Sequence, residues 1–181
     1  MLRTRVGYTG GERDNPTYHA LGEHSEAIQI DYDPQRIGYS ELLEIFWRSH
    51  DPGRPALSRQ YASFIFFHDA EQQRAARASL QRHQQRSGRR LYTRIRPAET
   101  FYRAEDYHQK FSLRRHPALL SALQAYYPDA DDLTDSTAAA RLNGYLAGQG
   151  SAATLAAEID DYGLPPALRD KLRAIAPRLA P

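Results

Sequence analysis

The sequence predicts an α+β fold, a mixed sheet with helices packed on it, followed by a helical C-terminal extension. Three observations predict it. Short runs of alternating apolar residues recur up to about residue 100, helical periodicities lie between them, and past that point the pattern is helical alone. The 181 residues suit one domain or one domain with an appendage. The change of pattern places an α+β domain at residues 1–115 and the helical extension at residues 116–181.

Residues 2–8 read as a first strand, with Val6 and Tyr8 on one face, broken by Gly10-Gly11. Residues 12–23 are polar, contain Asn15-Pro16 and read as an ordered loop. Residues 24–32 form a strand with Ala27, Ile28 and Ile30 as its apolar content, ended by Asp33-Pro34. Ser40 is placed to cap a helix reaching Ser49, with Leu42, Leu43, Ile45 and Phe46 on its apolar side. His50-Asp51-Pro52-Gly53 stops that helix. Residues 61–67 are the most apolar run and read as a central strand. Asp69 and Gln72 form a capping-box pattern for a helix over residues 70–86, closed by Ser87-Gly88. Residues 91–95 make a short strand stopped by Pro97. Helices are expected near 104–112, 117–126, 136–147, 151–161 and 165–176, separated by Pro128, Gly148, Gly150 and Gly163.

Composition narrows the chemistry. A net charge of +2 and arginines spread along the chain do not indicate a nucleic-acid face. No run approaches the ~18 apolar residues of a membrane span, and no signal-type N-terminus is present, so the expected location is cytoplasmic. The histidines number 7 but the cysteines 0, which leaves few routes to a zinc site and forbids disulfides and thiol chemistry. No metal and no cofactor is expected. Gly7-Tyr8-Thr9-Gly10-Gly11 follows a strand but lacks the G-x-G-x-x-G spacing of a phosphate cradle.

Several residues can carry chemistry. Glu26 stands at the entrance of an otherwise apolar strand. It is either a surface glutamate or a carboxyl whose charged form is disfavoured by its setting, which suits a general acid. Tyr18, two residues after Pro16, and Tyr61, at the mouth of the apolar strand, are either rim residues or phenols able to donate to a ligand oxygen. The run Phe101-Tyr102-Arg103-Ala104-Glu105-Asp106-Tyr107-His108-Gln109 gathers acids, a histidine and aromatics at a loop-to-helix junction. It reads equally as a helix start whose acids complement the dipole. Asp106 and His108 are not a metal pair, because i and i+2 on a helix point apart.

Together these segments resemble the A-type peptide methionine sulfoxide reductases. The matching stretches are RTRVGYTGG from Arg3, NPTY from Asn15, HSEAIQIDYDP from His24, YSELLEIFWRSHDP from Tyr39, RQYASFIFF from Arg59 and FYRAEDYHQ from Phe101. They follow one another in the family's order over residues 3–115. The resemblance implies a ferredoxin-like two-layer sandwich and reduction of the S epimer of methionine sulfoxide, free or in oxidised peptides, in protein repair under oxidative stress. In that reaction a cysteine thiolate attacks sulfur, the oxygen leaves protonated, and thiols, finally thioredoxin, reduce the resulting sulfenic acid. By resemblance Glu26 protonates the sulfoxide oxygen and Tyr18 and Tyr61 hydrogen-bond it. Asp106, His108 and His24 support these three from behind.

The chain also departs from the family pattern. A strand and turn with a Gly-Cys-Phe-Trp motif should precede the opening segment, and neither that motif nor any cysteine is in the sequence. The expectation is a truncated start and no activity for the chain as written. The alternatives are a non-catalytic relative that binds methionine sulfoxide and a partial domain without ligand. The Tyr18-to-Glu26 spacing is shortened, and the trimmed loop 53–59 lacks an aspartate that some members carry.

Overall fold

Residues 2–175 and 178–179 are described by a computed structural model. Their contacts gather into two units: Val6–Ala104, and Leu2–Arg5 with Glu105–Pro181. In the first, which holds β1 (Arg3–Thr9) from Val6 onward, that strand lies between β2 (Ser25–Asp31) and the short β5 (Tyr102–Arg103). The β1–β5 pair is antiparallel, with Gly7 opposite Arg103 and Tyr8 opposite Tyr102. A Cβ at Gly7 would collide with the Tyr102 carbonyl oxygen, so glycine permits this close approach. A second sheet pairs β3 (Phe64–Phe67) with β4 (Arg94–Pro97) in parallel, Ile65 opposite Ile95. Both pairing modes of a mixed sheet are present, but in two pieces rather than one.

Two helices accompany the β3–β4 sheet. α1 (Tyr39–Arg48) begins after Gly38, whose backbone N–H donates to the Glu41 carboxylate at 2.8 Å; the cap is therefore not Ser40, as expected. α2 (Ala70–Ser87) starts and stops as its local chemistry predicts. Asp69 accepts from the Gln72 N–H at 2.8 Å, and Gly88 ends the helix at φ 61°. Leu43 and Trp47 of α1, Ala76 of α2, Ile65 of β3 and Leu91 form the core between them. The Trp47 indole N–H donates to the buried Ser79 hydroxyl at 2.5 Å.

The strand expected at residues 61–67 starts only at Phe64 and is not central to a large sheet. Residues 59–62 form a turn instead, with the Ala62 N–H on the Arg59 carbonyl. The helix expected over residues 104–112 is also absent. Residues 102–103 pair as β5, residues 106–110 are turns, and Lys110 takes a left-handed φ of 52° before α3 (Phe111–Arg114).

The second unit is helical: α3, α4 (Pro117–Gln124), α5 (Ala130–Asp135), α6 (Thr137–Leu146), α7 (Ala152–Glu158), a 3₁₀ turn (Ile159–Tyr162) and α8 (Pro166–Arg173). Asp129, Ser136 and Ser151 cap α5, α6 and α7 through their side chains, and Pro117 and Pro166 open α4 and α8. The last expected helix, 165–176, is shorter, and its residue 176 lies outside the described residues. Leu113, Leu119, Leu123, Leu142, Leu155, Ile159 and Leu172 make a core sealed from water. Among the described residues no helix is long and apolar enough to cross a membrane.

Candidate functional site

The loop between β1 and β2 is held by the buried His24. Its Nδ1 accepts from the Gly11 N–H at 3.2 Å, so the ring proton sits on Nε2 and donates to the Arg13 carbonyl at 2.8 Å. The ring packs edge-on against Tyr102, whose hydroxyl donates to Asp14 at 3.1 Å. A Cβ on Gly11 would stand 2.5 Å from the His24 backbone nitrogen, so this position requires glycine. Beyond Asn15, which takes a left-handed φ of 48°, Thr17 and Ala20 bond to each other through their backbones and leave Tyr18 at the tip of a tight turn. His24 thus shapes the loop that presents Tyr18.

Residues 59–61 are stitched onto the start of β2. The Ser25 hydroxyl donates to the Arg59 carbonyl at 2.6 Å, and the Glu26 N–H donates to the Gln60 carbonyl at 3.0 Å. The Gln60 side-chain amide donates back to Glu26 Oε1 at 2.8 Å. Arg59 reaches the other way and donates to the Gly10 carbonyl at 2.8 Å. These bonds explain why the chain turns at residues 59–62 rather than continuing as strand. They also carry Tyr61 to Glu26.

Tyr61 therefore stands beside both Glu26 and Tyr18. The Tyr61 phenol lies near enough to the Tyr18 phenol and the Glu26 carboxylate for both to act on it; Tyr18 first and Glu26 second hold its pKa above the ordinary phenol value. Of the two alternatives for Glu26, the structure has the surface glutamate: Glu26 is exposed, as is Tyr61 at 60%, and Tyr18 is 38% exposed. The reason is strand parity: Ser25 is the residue that turns inward, 2% exposed, so its neighbour must face water.

Asp106 and His108 belong to the second unit. His108 Nε2 stands 3.9 Å from Glu105, and its ring lies tilted 4.2 Å from that of Tyr107. The Asp106 carbonyl accepts from the Gln109 N–H at 3.1 Å. Gln60, Ser25 and Arg59 were not singled out by sequence reasoning; the signal available was only that Gln60 adjoins Tyr61 within a matched motif.

Two exposed phenols near one another make a pair of donors suited to one small ligand oxygen, beside a carboxyl group that donates only in its protonated form. Comparison with known proteins gives this group a context. The family described as "Peptide methionine sulfoxide reductase" matches residues 1–139, and the family described as "Selenoprotein methionine sulfoxide reductase A, helical domain" matches residues 129–166. The chain belongs to the peptide methionine sulfoxide reductase family, A type.

It is 44% identical over 171 residues to the "Peptide methionine sulfoxide reductase" of Drosophila melanogaster, covering 93% of this chain and 68% of that one. It is 45% identical over 129 residues to the "Peptide methionine sulfoxide reductase MsrA" of Methanothermobacter thermautotrophicus, covering 65% and 75%. Against the "Peptide methionine sulfoxide reductase A5" of Arabidopsis thaliana the identity is 41% over 153 residues, and the chain spans 59% of that relative's length. Among solved structures it is similar to Mxr1 of Saccharomyces cerevisiae in reduced form, with TM-score 0.58, 29% identity and coverage of 63% and 71%. It is also similar to methionine sulfoxide reductase A of Corynebacterium diphtheriae, with TM-score 0.56, 29% identity and coverage of 64% of each chain.

Proposed function

We propose that Tyr18, Glu26 and Tyr61 bind the sulfoxide oxygen of methionine-S-sulfoxide, free or in oxidised peptides, as part of the reductase reaction of the family. The observation that carries this reading is that the Tyr18 phenol and the Glu26 carboxylate both lie near enough to the Tyr61 phenol to act on it. The phenols donate to the S–O oxygen. Glu26 delivers the proton that this oxygen gains as two thiols reduce sulfur to the sulfide, become a disulfide and release water. The apolar body of a bound ligand supplies the desolvation that the exposed carboxyl lacks in the free protein. A cytoplasmic setting with thioredoxin as final reductant belongs to this reading.

The thiols are not among the 181 residues, which contain no cysteine. A second reading is a non-catalytic relative that recognises methionine sulfoxide. Both readings place ligand at the same three side chains, and both exclude turnover by these residues alone. The test is ¹⁵N NMR titration with N-acetyl-methionine-(S)-sulfoxide amide. Resonances of residues 18, 26, 60 and 61 are expected to move together and saturably. Unmoved resonances there, or movement confined to other surfaces, overturn the proposal.

A further inference from the structure

Gln60 holds Glu26 by two bonds at once. Its backbone carbonyl accepts from the Glu26 N–H at 3.0 Å, and its side-chain amide donates to Glu26 Oε1 at 2.8 Å. The partner is a carboxyl oxygen, so the NH₂ end of the amide must face it. A carboxyl group has two oxygens, and an amide N–H prefers the one that carries no proton. With Oε1 occupied by Gln60 whether Glu26 is charged or neutral, an acidic proton is confined to Oε2.

We propose that Gln60 is a positioning residue that selects Oε2 as the atom of Glu26 that carries the proton and meets the sulfoxide oxygen. This inference rests on the reading of the site given under Proposed function. The other groups facing Glu26 are the Tyr61 phenol and, through it, that of Tyr18. The charged residues on the two packed segments, Glu23 and Arg59, stand 3.9 Å apart as a pair. Neither Arg59 nor Glu23 is bonded to Glu26, so the aim of the carboxyl falls to Gln60. Fixing which oxygen is the donor fixes its direction, and direction is what distinguishes the two epimers of a sulfoxide. Sulfur carries the same four substituents in both, counting its lone pair, but the oxygen points to different sides once the methyl and the chain are seated.

The test uses Gln60→Met, which keeps the length and the backbone carbonyl but removes the donor. Calorimetry of the full chain with the S sulfoxide amide, the R epimer and the sulfide is expected to show the S affinity falling by about three- to tenfold. The R epimer and the sulfide change by less than about twofold, so the S-to-R ratio shrinks. Without ligand, the Gln60 side-chain ¹⁵N resonance is expected to shift in Glu26→Ala. An S-to-R ratio unchanged in Gln60→Met, an equal loss for all three ligands, or a Gln60 resonance indifferent to Glu26→Ala overturns this inference alone. A wild type that binds no S sulfoxide overturns the proposed function beneath it.

Discussion

Glu158 organises the second unit, and removing it has a calculable effect. Its carboxylate accepts from Arg141 Nη2 at 2.5 Å, from the Tyr145 hydroxyl at 3.0 Å and from the Tyr162 hydroxyl at 2.7 Å. Tyr145 and Tyr162 are 3% and 8% exposed, so neither phenol has water to fall back on. Glu158→Ala strands two buried hydroxyls and a part-buried guanidinium, and is expected to cost about 3–5 kcal/mol of unfolding free energy. Glu158→Gln keeps one carbonyl acceptor and the volume, and is expected to cost about 1–2 kcal/mol.

Urea unfolding followed by far-ultraviolet circular dichroism measures both. Burial first, then Glu158, raises the pKa of both phenols. The folded state therefore keeps them neutral where the unfolded chain ionises them, above about pH 10. Their contribution is complete below that pH and is lost as pH rises toward the folded values, and the loss should be shallower in Glu158→Ala. A cost below about 1 kcal/mol for Glu158→Ala, or an equal cost for Gln and Ala, would mean that the carboxylate does not hold these three groups in solution.

Three further outcomes follow from the geometry. Gly11→Ala must move the His24 backbone, which a Cβ would approach to 2.5 Å, and is expected to destabilise by about 1–3 kcal/mol in thermal unfolding; a neutral substitution contradicts the packing. Ser79→Ala leaves the indole N–H of Trp47, the single tryptophan, buried without its acceptor, and is expected to cost about 1–3 kcal/mol with a changed Trp47 emission. The chain with dithiothreitol should reduce no S-sulfoxide above the buffer blank, because turnover through an enzyme thiol needs a cysteine and there are 0; measurable turnover would sink that expectation.

What could be read from the sequence was what neighbouring residues decide among themselves. Asp69 and Gln72 lie within one turn, and Gly88 follows the last periodic residue, so α2 could be bounded without tertiary information. The start of β3 could not, because the carbonyls of Arg59 and Gln60 are claimed by Ser25 and Glu26 from 34 residues away. The run from Phe101 to Gln109 has helix-compatible composition, but Tyr102 and Arg103 pair with β1, where Gly7 leaves room for them. At the site, apolar content identified β2 as a strand but not which parity faces inward; Ser25 took the interior and left Glu26 in water. Single tyrosines among 12 are uninformative, so Tyr18 and Tyr61 were legible only through the family resemblance. Gln60 was not legible at all, since its bond to Glu26 exists only once the two segments are packed.

If Tyr18, Glu26 and Tyr61 recognise a sulfoxide oxygen, the chain binds its ligand with a preference for the oxidised form and for one epimer. Calorimetry compares N-acetyl-methionine-(S)-sulfoxide amide with the R epimer and with the sulfide, in the wild type and in Tyr61→Phe. The S epimer should bind the wild type at least about tenfold more tightly than the sulfide, and Tyr61→Phe should remove most of that advantage while leaving sulfide binding unchanged. Equal affinity for S sulfoxide and sulfide, or a preference that survives Tyr61→Phe intact, contradicts the account.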